Sequence, residues 1–452
     1  MDLDTLTVGL SGLNANSAGL DLIGNNLANL NTVGYKESQI SFSDVLGQTF
    51  STGSSQGVDL GMGVQVSGTQ TDFSQGSIQS TGNPLDVAIQ GNGFLVENSN
   101  GGTAYTRDGQ LQLDQNNNLV SESGANVQGY TTNPTTGQID PNLGLQNIQI
   151  PASTPATVTS QIQATMNLDA GSPAGTQFST SFQIYDSLGT AHPATLTLQS
   201  AGTAGTPPTT TWNYDLTIPK SDIAGSTSST TGNYSLVTGA TALASPNSGG
   251  LVFNSNGTMT SAYIGATAPT TLPALGNLKF PPTGTTMPSL ADGATLSPNI
   301  TLNLVSGTNN APLVTGSNSA SAVTASSQNG AAAGTMSSVA VNADGTIAAT
   351  YTNGQTVDVA QIAVAQFPDV EGLTSQGGGL YSSSVLSGAA TIGAPGAAGA
   401  GNLVGGALEQ SNVDLASELT QIITYQRGYE ANAKTISTTD QLLMDALNLI
   451  QQ

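Results

Sequence analysis

The chain begins and ends on the same pattern. Leu3, Leu6, Leu10, Leu13, Ser17, Leu20, Gly24 and Leu27 recur at alternating spacings of three and four. Such spacing places them on one helix face, as in a coiled-coil seam. The run stops at Asn31, and Gly34 stands where a left-handed residue would terminate it. At the other end Leu415, Leu419, Ile422, Gln426, Tyr429, Ala433, Ile436, Asp440, Leu443, Leu447 and Ile450 alternate four and three. Ser411 and Asp414 read as an S-x-x-D capping box ahead of that run. A helix from Ser411 to Gln451 would extend roughly 60 Å, longer than surface helices usually run. Two such helices could each pack on a domain of their own. Their position at opposite ends of a β-like chain points instead to an interface, with each other and with further copies of the chain.

Between the ends the period drops to two. Leu111 to Tyr130 reads as strand, turn at Asn116–Asn118, strand, and VAVNADGTIAATYTNGQTVDVAQIAVAQF carries turn dipeptides at Asp344-Gly345 and Asn353-Gly354. Asn256-Gly257 supplies another. Such dipeptides between alternating runs favour type I′ hairpins. Gly-, Ser-, Thr- and Pro-rich stretches at 131–141, 201–211, 224–232, 267–273, 316–334 and 388–406 mark candidate boundaries.

Charge sharpens the division. Of the net −22, residues 1–145 carry −11 and residues 326–452 carry −8, leaving −3 for residues 146–325. The nearly uncharged middle reads as a domain inserted between two halves of another. The predicted fold is α+β, mainly β: long terminal helices forming a coiled-coil core, and two β-rich domains, the outer inserted in the inner. The expected segments are an N-terminal helix at 1–31, a connection at 32–70, the first part of the inner β domain at 71–145, and the inserted outer domain at 146–325. The second part of the inner domain follows at 326–366, then a connection at 367–410 and the C-terminal helix at 411–452.

Several chemistries lack the residues they need. Six Lys and Arg against 28 acids cannot make a nucleic-acid footprint or a polybasic membrane anchor. No apolar run reaches the ~20 residues of a bilayer span. The start, MDLDTLTVGL, has no basic leader region, so an extracellular destination would require a dedicated export route. With no Cys there are no disulfides or thiolate metal sites. The one His, His192, precedes a Pro in YDSLGTAHPATL and reads as a turn residue rather than a ligand or base. GSSQG at 53–57 lies in a polar loop without the strand and helix a nucleophile elbow requires. The stretch from Asp114 places Leu119 and Ala125 where a Ca²⁺ loop needs Gly and Glu. No catalytic residue, cofactor or metal is assigned.

Leu10 to Lys36, LSGLNANSAGLDLIGNNLANLNTVGYK, closely resembles the N-terminal signature of the bacterial flagellar rod, hook and hook-associated axial proteins. Gly24, Asn25, Asn26, Ala28, Asn29, Gly34 and Tyr35 are its most specific positions. DFSQGSIQSTGNPLDVAIQGNGFLV from Asp72 and YTRDGQLQL from Tyr105 are similar to the segments that follow it in that family. GALEQSNVDLASELTQIITYQRGYEANA from Gly406 resembles the paired C-terminal signature. Within the family the large middle, with FQIYDSLGTAHPATLTL at Phe182 to Leu198, is similar to hook proteins. The loop from Gly47 to Gly61 is closer to distal rod proteins, so rod and hook–filament junction proteins stay as alternatives. From another class, a secreted β-rich adhesin or glycan-binding protein would explain the Gly/Ser/Thr/Asn content but not the two helical stripes.

The resemblance implies a self-assembling, flexible tube that passes torque from motor to filament and encloses an export channel, located at the hook on the cell exterior. It implies a homopolymer, with the distal rod protein, hook cap protein, junction protein, hook-length control and the flagellar export machinery as partners. The expected self-assembly interface is Leu6, Leu10, Leu13, Leu20 and Leu27 on the first helix. On the second it is Leu415, Leu419, Ile422, Tyr429, Ile436, Leu443, Leu447 and Ile450. Gly9, Gly12, Gly19 and Gly24 each cost a helix about 1 kcal/mol relative to Ala, so the first helix should depend on partners. Residues 1–31 hold no Lys or Arg, so cohesion must come from apolar packing.

Overall fold

The computed structural model describes residues 2–45, 49–50, 58–59, 61–99, 101–205, 208–224, 232–237, 249–265, 277–281, 286–306, 311–397 and 399–450, with backbone alone at 2–5, 49–50, 58–59 and 446–450. GSSQG at 53–57 and most of the loop at 47–61 lie outside these residues. The chain forms two compact units. One comprises residues 1–151, 338–350 and 356–452, and the other, inserted in its sequence, residues 152–337 and 351–355.

In the first unit, helix α1 (Asp2–Ala28) packs against helix α2 (Leu415–Ile450). The N-cap of α2 is Asp414, not part of a helix beginning at Ser411. Its Oδ1 accepts the backbone N–H groups of Ala416 (2.7 Å) and Ser417 (3.1 Å), satisfying two of the donors a helix start leaves open. The segment expected only to connect, after α1, holds a hairpin. Ser38–Asp44 pairs antiparallel with Val64–Thr71, and both strands lie on α1. A large antiparallel sheet follows the order Thr346–Tyr351, Thr356–Ile362, Asn126–Thr131, Phe94–Ser99, Gly102–Thr106, Leu380–Ser382, Thr374–Gly377. Few aromatics suffice for its core because they cluster. Phe73, Phe94, Tyr105, Phe367 and Tyr381 meet edge to face at 4.8–5.9 Å.

The second unit has two sheets over one core. One is antiparallel in the order Gln177–Tyr185, Ala191–Ala204, Thr209–Pro219, Gly249–Phe253, Met259–Ile264. The other is built around Gln161–Asn167, flanked by Ile300–Asn303 and Ala322–Gln328. Alternate residues of each turn inward: Ile162, Ala164 and Met166 from one sheet, Leu196, Leu198, Trp212, Tyr214 and Leu216 from the other. This unit runs to 337 rather than 325. Ala322–Gln328 pairs with Gln161–Asn167 from one end to the other, and Gly334 and Thr335 pair with Thr154 and Ser153. The chain cannot leave before those bonds are made.

The expected hairpin positions are hairpins, but not of type I′. At Asn342–Thr346, Tyr351–Gln355 and Asn254–Thr258 the first residue donates to the fifth, and the fourth, a Gly with φ near +80°, donates back to the first. Asn256, Asp344 and Asn353 keep negative φ. A type I′ turn needs positive φ at both central residues, whereas these are three-residue loops closed by one left-handed residue. Asp114–Asn118 is the same loop with Asn117 at φ +59° in place of Gly. Its Asp114 carboxylate accepts from the Asn116 and Asn118 backbones, so the turn spends those oxygens on itself.

Candidate self-assembly surface and helix clamp

The two terminal helices run antiparallel and in step. A Cβ placed on Gly9 would come within 2.9 Å of Ile436 Cγ1, one on Gly12 within 2.6 Å of Asn432 Nδ2, and one on Gly19 within 3.0 Å of the Tyr425 ring. From the other side, a Cβ on Gly428 would meet Asn16 Oδ1 at 2.5 Å. Farther along, Asn26 Nδ2 donates to Glu418 Oε1 at 2.9 Å. Each step of three or four residues up α1 is matched by three or four down α2, as packing of one helix stripe on another requires. On the α1 side the seam is made of small and polar residues, together with Ala15 and Ile23, both buried, and α2 meets them with Ile436 and Tyr425 as well as Asn432 and Gly428. The glycines that weaken α1 as an isolated helix are the positions where α2 approaches.

This seam lies one residue away from the leucine stripe. Gly9, Gly12, Asn16, Gly19, Ile23 and Asn26 each precede a stripe position, and one residue is about 100° around a helix. The leucine stripes thus do not close the intramolecular seam. Leu10 is 53% exposed, Leu415 45%, Leu419 46% and Tyr429 38%. Leu6, Leu13, Leu20, Leu27, Ile422 and Leu443 are half-buried, and Ile436, also half-buried, reaches Gly9. Leu447 and Ile450 are on α2, with side chains outside the described residues.

The signature residues divide into two groups. Asn26, 1% exposed, uses its whole side chain. Its Nδ2 donates to Ser38 O as well as Glu418, while its Oδ1 accepts from the Tyr35 hydroxyl and the Ser38 N–H, both at 3.1 Å. Gly34 has φ +67° and a Cβ there would strike the Arg107 carbonyl carbon at 2.7 Å. Its N–H donates to Glu409 O. Asn29 caps the end of α1 through Asn25. Gly24, Asn25 and Ala28 face outward, and nothing lies within 4 Å of a Cβ on Gly24.

Behind the helices is a clamp that pattern reading passes over. Lys36 Nζ lies 2.6 Å from Glu409 Oε1 and Arg107 Nη1 lies 3.1 Å from Glu409 Oε2, all three side chains buried. The Gly76 N–H also donates to Glu409 Oε1, Lys36 to Ser74 O, and Arg107 Nη2 to Gly91 O. Burial lowers the Lys36 pKa by more than the Glu409 charge restores. Asn412 adds neutral ties, accepting from the Glu37 N–H and donating to Asp72 O. Segments more than 300 residues apart in sequence are thereby joined where both helices leave the β structure. The available signal was scarcity: Lys36 and Arg107 are the two basic residues of positions 1–145.

His192 is not a turn residue. It sits in the strand Ala191–Ala204, opposite Ile184 and 6% exposed, with an aspartate on each ring nitrogen.

Comparison with known proteins agrees along the chain. Residues 6–36 match the flagella basal body rod protein family, 88–165 the flagellar hook protein FlgE/F/G D1 domain, 154–331 the flagellar basal body protein FlaE D2 domain, and 404–449 the flagellar basal body rod FlgEFG protein C-terminal family. The Salmonella typhimurium flagellar hook protein FlgE is 35% identical over 467 residues, covering 97% of this chain and 98% of that one. Its Escherichia coli counterpart is 34% identical (97% and 98% covered), and that of Treponema pallidum 31% (98% and 99%). A solved structure, the Helicobacter pylori flagellar hook protein FlgE2, aligns at TM-score 0.49 and 14% identity, covering 74% of this chain and 100% of that one. With 31–35% identity to those three hook proteins sustained over 97–98% of its length, the chain belongs to the flagellar hook protein family.

Proposed function

We propose that this chain, a structural subunit of the bacterial flagellar hook, polymerises through the apolar stripes that its terminal helices leave beside their shared seam. One observation carries this reading: Leu10, Leu415, Leu419 and Tyr429 stay exposed on helices already packed together. Burying them against a second copy recovers about 25 cal/mol for each Å² of apolar surface covered. The contact set is Leu6, Leu10, Leu13, Leu20 and Leu27 with Leu415, Leu419, Ile422, Tyr429, Ile436 and Leu443, continued by Leu447 and Ile450. Gly24, Asn25 and Ala28, on the outward side of α1, leave room for a neighbour's backbone. In the polymer the helices line the tube, and the clamp at Glu409 passes load from them into the β structure. The role is mechanical: torque goes from rod to filament through a bending joint, and the bore serves export. The rod, cap, junction, length-control and export components are its partners, and its site of action is the hook outside the cell.

The test is electron microscopy of the concentrated full chain beside a Leu10→Asp/Leu419→Asp double variant. The variant should keep the wild-type circular dichroism and melting temperature and form no tubes. Normal tubes from the variant would remove the stripes from the interface.

A further inference from the structure

The inserted unit contains an arrangement that the mechanical role leaves unused. His192 Nδ1 is 2.9 Å from Asp222 Oδ2 and Nε2 is 3.0 Å from Asp186 Oδ2. A neutral imidazole has one N–H and one lone pair. It can satisfy one of these carboxylates, and its other nitrogen then faces an acceptor. Something positive must lie on that second side, a proton or a cation. Asp292 offers a cation a third ligand. Ligand atoms of Asp186, His192 and Asp292 lie within 4.8 Å of one another. A proton on Nε2 is hydrogen-bonded by Asp186 alone and acts on the third carboxylate only through its charge. A divalent ion uses all three.

The supporting bonds fit that use. Asp186 Oδ1 is held by the backbone N–H groups of Leu188 and Thr190, which leaves Oδ2 turned to the imidazole. Asp292 Oδ1 accepts the Ala294 N–H, while its Oδ2 has a long contact, 3.4 Å, from the Thr190 hydroxyl. Asp222, accepting from Nδ1, would fix the tautomer and orient Nε2, the usual second-shell partner of a metal-bound histidine.

We propose that Asp186, His192 and Asp292 bind a divalent first-row transition metal of the zinc type, with Asp222 as the positioning carboxylate. One nitrogen and two oxygens suit Zn²⁺ or Co²⁺ better than Ca²⁺ or Mg²⁺, which take oxygen ligands. The ion would pin the turn at Ser289–Thr295 to the hairpin at Tyr185–Ala191, two segments about 100 residues apart that belong to one unit.

The chain has a single histidine, so its imidazole signals are unambiguous. The full-length protein at neutral pH is titrated with ZnCl₂ while the His192 ¹⁵N resonances are followed, and with CoCl₂ while visible absorption is followed. One equivalent should move the Nε2 resonance and give a saturating cobalt band. Asp292→Asn keeps the Oδ1 acceptor of its exposed turn and should weaken binding at least tenfold. Asp222→Asn should weaken it 10- to 100-fold. Imidazole resonances unmoved by one equivalent of Zn²⁺, or wild-type affinity in Asp292→Asn, would overturn the assignment. Both readings use a folded, unassembled chain, so tube formation has no bearing on them.

Discussion

A single carboxyl shows how burial acts on this fold. Glu97, on the strand Phe94–Ser99, is fully buried, and among the described residues neither of its oxygens has a hydrogen bond of good geometry. Burial pushes its pKa up to about 7; the Ser121 hydroxyl opposes this and the Asp108 charge adds to it. The folded chain therefore keeps this proton to about pH 7, while the unfolded chain loses it near the ordinary value of 4.5. Between those values the folded state binds more protons, so stability falls as pH rises, and it levels off above 7. The full cost is about 3 kcal/mol. Glu97→Gln should match the wild type near pH 4 and exceed it progressively to pH 7, as read from urea midpoints across that range. A constant difference at all pH values would show that the carboxyl is not the cause. Glu409 is buried with two cationic partners. Glu409→Ala strands two buried cations and should cost about 3–5 kcal/mol, measured by the same denaturation.

For the helices, two glycines of the same type should give opposite results. Gly24→Ala meets nothing and removes backbone freedom from the unfolded chain, so it should stabilise by up to about 1 kcal/mol. Gly9→Ala puts a methyl 2.9 Å from Cγ1 of the β-branched Ile436, and should lower the melting temperature despite the same gain in propensity. If both variants melt higher, the close approach at the seam is wrong. The seam also makes α1 dependent on α2. Removing residues 415–452 should abolish the circular dichroism signal of both helices, because α1 with four glycines does not hold alone. The aromatic cluster around Phe94 and the second unit's core lie in β structure and should remain, visible as near-ultraviolet dichroism retained apart from the contribution of the deleted Tyr425 and Tyr429.

The whole subunit carries −22, and a tube brings many copies together. Of that, −19 belongs to the segments outside the nearly uncharged middle. Like charges at exposed contacts repel over a Debye length of about 10 Å at 0.1 M salt. Salt shortens that range, while apolar contacts of α1 and α2 do not weaken and are strengthened by sulfate. Rising ionic strength should therefore lower the critical concentration for tubes, more with sulfate than with chloride, as sedimentation would report. A critical concentration that climbs with salt would mean that ion pairs hold the subunits together.

Much of this was legible along the chain. Period determined it: three-and-four spacing makes helices at the ends, period two makes strands between, and the Asn-Gly and Asp-Gly dipeptides mark where hairpins turn, though not the type of turn. These are local choices, made within a few residues of backbone. The composition and the terminal signatures fixed the family by the same local means. Which face of α1 meets α2 could not be read this way. A hydrophobic pattern marks side chains, and the seam is built where side chains are missing, at Gly9, Gly12 and Gly19. It exists only when Ile436, Asn432 and Tyr425 are brought opposite them. The clamp of Lys36, Arg107 and Glu409, and the aspartates around His192, likewise join residues from distant segments of one unit. Their energies depend on distance and burial, quantities that arise when the chain closes on itself and that no single stretch of sequence contains.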